Sequence, residues 1–127
     1  MNLYLLIASI LAILIGIIHS ILGERLILIP LLKKELPQIL GSDWITKRTL
    51  RFAWHVTSIC WWGMAFITLL FASKPLDLTS IFVLHVFAVV FFLSFLISLI
   101  GGRGRHFSWY VFLAITILLW VGAKPYP

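Results

Sequence analysis

Residues 3–22 read LYLLIASILAILIGIIHSIL, twenty positions whose one titratable side chain besides Tyr4 is His19. A run of about 20 apolar residues is the length needed to cross a bilayer as a helix. Three more such runs follow, at about 50–71, 78–100 and 107–121. With 62% hydrophobic and 11% charged residues and a mean hydropathy of +1.12, the chain departs far from soluble domains, which are closer to half apolar and a quarter charged. The expectation is an all-α integral membrane protein: one transmembrane domain, residues 1–127, built as a four-transmembrane-helix bundle. The first run has neither a basic leader nor a small-residue cleavage site and reads as a retained span.

Eight of the ten Lys and Arg residues lie on one side of these spans: Arg25, Lys33, Lys34, Lys47, Arg48, Arg51, Arg103 and Arg105. Lys74 and Lys124 lie on the other. The positive-inside rule then predicts both basic loops in the cytoplasm and both termini outside, in a bacterial-type cytoplasmic membrane. The net charge of +6 is accounted for by this asymmetry and asks for no nucleic acid. The loop over 24–47 is too apolar for a plain linker and is interrupted by Pro30 and Pro37, so it reads as an interfacial helical segment with Trp44 as anchor.

Ionisable groups at membrane depth are costly and need partners. In this topology His19, His55 and His106, from three spans, share one slab near the inner leaflet, bordered by Glu24, Arg51 and Arg103. Arg48, Arg51, His55, Ser58 and Trp62 are spaced 3, 4, 3 and 4 along span two and so occupy one helical face. Ala12, Gly16 and Ser20 make a small-residue strip on span one that permits close helix approach. His85 enters from the opposite side and stands apart.

These groups point to a ligand site at the cytoplasmic end of the bundle. Imidazole suits zinc, copper or iron, and His19, His55 and His106 with Glu24 form a candidate metal set. No HxxxH or HExxH pair is present, so those ligands must converge through tertiary packing. Arginine's planar fork suits phosphate or carboxylate, so an anionic, lipid-like ligand on Arg51, His55, His19, Ser20, Trp54 and Arg103 is the second candidate, with an enzyme acting on it as an extension. Catalytic candidates are His55, Glu24 and Ser58. A bis-His b-type haem between His19 and His55, with room made by Gly16, Gly23 and Gly63, is an alternative. So are a small oligomeric channel or transporter, and an assembly protein whose polar residues only fix packing. The single Cys60 excludes an intramolecular disulfide. Four short helices bury little area, so a homo-oligomer is expected.

Overall fold

The computed structural model describes residues 1–38 and 41–124 and is helical throughout, with no strand among the described residues. Helix α1 (Leu3–Gly23) runs without a break through a π-helical turn (Glu24–Leu28) into the short α2 (Ile29–Leu32). α3 (Asp43–Ala72), α4 (Leu78–Gly101) and α5 (Ser108–Gly122) follow. Three helical stretches, Leu3–Leu32, Asp43–Ala72 and Leu78–Gly101, are long and apolar enough to cross a membrane, while α5, at 15 residues, is apolar but shorter than the ~20 a perpendicular crossing needs.

Helix boundaries depart from the hydropathy runs where polar residues continue a helix beyond the apolar stretch. The first helix reaches Leu32 instead of ending near 22, and α3 begins at Asp43 instead of near 50. Most of the segment expected to lie along the interface is therefore an extension of its two flanking helices. Pro30 does not break the chain's helical course. It falls in the first turn of α2, just past the π turn that resets the hydrogen-bond register. Residues 34–38 form the non-helical link, Thr46 Oγ donates to the Pro37 carbonyl (3.2 Å), and Ile39 and Leu40 lie outside the described residues.

Caps set the other helix starts. The Asn2, Ser42 and Asp77 side chains accept from the backbone N–H groups of Leu5, Trp44 and Ser80, satisfying donors that a first turn leaves free. Asp77 also accepts from the Ser80 hydroxyl, and these bonds hold its carboxyl below the usual carboxylate range. A depressed carboxyl stabilises the fold above its unfolded value and loses that contribution as pH falls through its folded value. Protection of the Ser80 amide, measured against the intrinsic exchange rate at the same pH, should therefore fall in acid, and Asp77→Asn should flatten that dependence while keeping the cap.

α1 is central: it packs against both α3 and α5, α4 packs on α5, and α3 and α4 touch only slightly. The interior combines small side chains, among them Ala8, Ala12, Ala65, Ala72, Ala88 and Ser9, with large ones such as Leu5, Leu84, Phe91 and Phe112. Other large apolar residues, such as Leu14, Phe52, Phe66, Phe82 and Ile97, face outward. Small residues at helix contacts let helices approach closely in lipid, and an apolar outer surface is consistent with a membrane protein.

Candidate functional site

The polar stripe of α3 is turned toward α1. Trp62 reaches the α1 backbone at Gly16, donating its indole N–H to the Ile13 carbonyl (3.2 Å). Two turns away, Trp54 does the same at Gly23, donating to the His19 carbonyl (3.0 Å). Both glycines are occupied by these rings: a Cβ at Gly16 or Gly23 would lie 2.4 Å and 2.2 Å from the indole nitrogens of Trp62 and Trp54. The space that these two glycines would offer a haem is thus filled by tryptophan.

Around and just beyond the Trp54 contact the helices meet through ionisable groups. Ser20 and Glu24 lie one turn apart on α1 and the π turn; Arg51 and His55 lie one turn apart on α3, which runs antiparallel. Ser20 Oγ is 2.6 Å from His55 Nδ1, and Glu24 Oε2 is 3.2 Å from His55 Nε2. Arg51 grips the same carboxylate with two nitrogens, Nη2 at 2.8 Å from Oε1 and Nε at 3.3 Å from Oε2. With Glu24 ionised, Nε2–H donates to the carboxylate, which leaves Nδ1 to accept the Ser20 hydroxyl proton. The side chains are not sealed off: His55 and Glu24 keep 34% and 26% of their surface accessible. Glu24 opens the π turn, a feature often found at functional positions in helices.

The other expected site residues take different places. The His19 ring stacks on Trp54 (4.4 Å between centroids) and meets Trp61 edge-on (5.0 Å). His106 Nδ1 lies 2.8 Å from Ser108 Oγ, which in turn meets Ser98 Oγ, joining the end of α4 to the start of α5. Arg103 sits exposed in the turn between these helices with φ 48, followed by Gly104 at φ 71. Ser58 is fully buried one turn from His55, and its hydroxyl has no partner among the described residues. His85 donates to the Ile81 carbonyl and packs edge-on against Trp120. Among the described residues, no three of His, Cys, Asp and Glu converge as metal ligands; of the expected set only His55 and Glu24 are joined.

Beside Arg51 lies an open groove of about 780 Å³. Lys33, Lys47, Arg48 and Arg51 supply its charge, and Ile29, Leu32, Trp44 and Phe52 its apolar lining. Arg51 is paired with Glu24 and Lys47 with Asp43 (2.7 Å), whereas Lys33 and Arg48 have no carboxylate within ion-pair distance among the described residues. The Arg48 guanidinium rests on the Trp44 ring, 4.9 Å from its centroid. This groove was hidden in the sequence by the boundary placed near 50. Once α3 starts at Asp43, Trp44, Arg48, Arg51, His55 and Ser58 are spaced 4, 3, 4 and 3 and continue one face downward.

No family model matches this chain, and neither a curated protein nor a solved structure shows significant similarity to it. The functional reading rests on the site itself.

Proposed function

We propose that this is a four-span membrane protein, with both termini outside, that binds an anionic amphiphile at the cytoplasmic end of the bundle. The observation that carries this reading is the groove: four cations, two of them without a carboxylate partner among the described residues, lie beside an apolar wall. A phosphate or carboxylate head group matches the charge, with Arg48, which lies over the Trp44 ring, as a fork for its oxygens. A hydrocarbon chain matches Ile29, Leu32 and Phe52. The eight-to-two distribution of basic residues supports the orientation, since juxtamembrane Lys and Arg favour the cytoplasmic leaflet and its acidic lipids.

The test is binding of phosphatidylglycerol against phosphatidylcholine to the purified chain, followed by native mass spectrometry or Trp44 fluorescence. Wild type should prefer the anionic lipid. Each of Lys33→Gln and Arg48→Gln should weaken that preference by about fivefold, the equivalent of ~1 kcal/mol per interfacial cation. Equal binding of the two lipids, or variants indistinguishable from wild type, would sink the reading.

A further inference from the structure

We infer that the Ser20–His55–Glu24 chain is the machinery of a serine-type acyl-ester hydrolase, acting on an acyl ester of the anionic amphiphile held in the neighbouring groove. The substrate class rests on the binding reading above; the catalytic assignment rests on side-chain geometry independent of it.

Comparison with five other hydroxyls in the helices shows how Ser20 differs. A serine or threonine inside an apolar helix ordinarily satisfies its hydroxyl on the carbonyl four residues back. Ser9, Thr57, Thr68, Ser94 and Thr116 all do so. Ser20 faces a histidine on another helix instead, at 2.6 Å. That histidine has its second nitrogen on a carboxylate, and the carboxylate is clamped by a two-nitrogen arginine contact. A nucleophile on a base, the base on an orienting acid, and the acid itself fixed is the arrangement that activates serine, here with the two ring nitrogens exchanged relative to the commoner triad. Arg51 belongs to both constellations, because it holds Glu24 and lines the groove.

Depth fits the substrate as well. Ser20 lies ~26 Å along the helix axis from Leu3, against a hydrocarbon thickness of ~30 Å. That level is close beneath the head groups, where a lipid's acyl esters join chain to glycerol.

The chemistry balances with these groups and water alone. Ser20 Oγ bonds to the ester carbonyl carbon as its proton passes to His55 Nδ1. The carbon–oxygen bond to the alcohol breaks, and His55 returns the proton to the departing oxygen. Water then attacks the acyl-serine, its proton passes through His55 to Ser20 Oγ, and a carboxylic acid is released. The surplus positive charge of the groove favours the oxyanion that forms in each step. Ser20 and His55 are catalytic residues; Glu24 and Arg51 position the base.

A fluorophosphonate probe, which forms an Oγ–phosphorus bond with expulsion of fluoride only at an activated serine, tests the assignment on the intact wild-type chain without any variant. Peptide mapping should find Ser20 labelled, with labelling lost in His55→Gln and kept in Ser58→Ala. Fatty-acid release from phosphatidylglycerol vesicles should fall by about 10³-fold or more in Ser20→Ala, while lipid binding persists. Glu24→Gln should lower kcat, whereas Arg48→Gln should raise KM with kcat kept. A wild-type protein that binds phosphatidylglycerol yet is neither labelled at Ser20 nor releases fatty acid overturns the hydrolase and leaves the binding reading standing. Labelling at Ser20 with equal turnover of phosphatidylcholine overturns the anionic substrate class and keeps the catalytic assignment.

Discussion

Gly23→Leu should destabilise the protein by about 2–4 kcal/mol, combining ~1–3 for overpacking a tight contact with ~1 for a lost indole hydrogen bond. The Trp54 indole occupies the position a side chain at Gly23 would need, with ring atoms within 2.4 Å of a Cβ there. It cannot swing away freely, because its N–H is bonded to the His19 carbonyl and its face is stacked on the His19 ring. Gly16→Leu meets the same obstacle at Trp62. Gly63→Leu provides the control, since a Cβ there meets nothing within 4 Å. Thermal unfolding in detergent, followed by tryptophan fluorescence, should therefore rank wild type and Gly63→Leu together, well above the other two. A Gly23→Leu protein that melts with wild type would refute the clasp.

Asn2→Ala should cost about 2–4 kcal/mol, with ~1 from the lost cap and ~1–3 from a carbonyl left without its donor. Its carboxamide oxygen caps α1 at the Leu5 N–H, its Nδ2 donates to the Gly122 carbonyl at the end of α5 (2.8 Å), and its backbone N–H donates to Ala72 at the end of α3 (2.7 Å). One nearly buried residue thus ties three helix ends together. Asn2→Asp keeps the cap but removes the donor to Gly122, so it should recover only part of the loss. The loss should appear in hydrogen exchange at the end of α5 as well as at the start of α1; protection unchanged at Gly122–Lys124 would argue against the tie.

The helices were legible because apolar runs of span length admit few other structures. Their ends were not, because hydropathy stops at the first charged residue whereas a helix stops only when its hydrogen bonds do. Lys47 and Arg48 ended the apolar run near 50 yet are good helix formers, and Ser42 supplies the cap ahead of them. The stripe through Arg51, His55 and Trp62 pointed to a polar face. What it faced depended on groups 27 to 49 residues away. Gly16 and Gly23 suggested room, and only packing shows that Trp62 and Trp54 use it. His55 has two serine neighbours within reach of reasoning, Ser58 on its own helix and Ser20 on another. Sequence spacing favours the first, and the antiparallel docking of α1 on α3 joins it to the second.

The π turn at Glu24–Leu28 bears on how the two halves of this end of the protein are oriented. Bonding five residues ahead accommodates one more residue than an α-helical turn, so everything beyond it is rotated by ~100° from where an unbroken α-helix would carry it. Ser20 precedes this offset and Glu24 opens it, and Ile29, Leu32 and Lys33 come after it. The turn therefore acts as a phase adapter: it lets one continuous rod present the proton-transfer groups and the head-group cradle to the same partner helix. Removing a single residue from it would leave both sets of side chains intact and aim them in different directions.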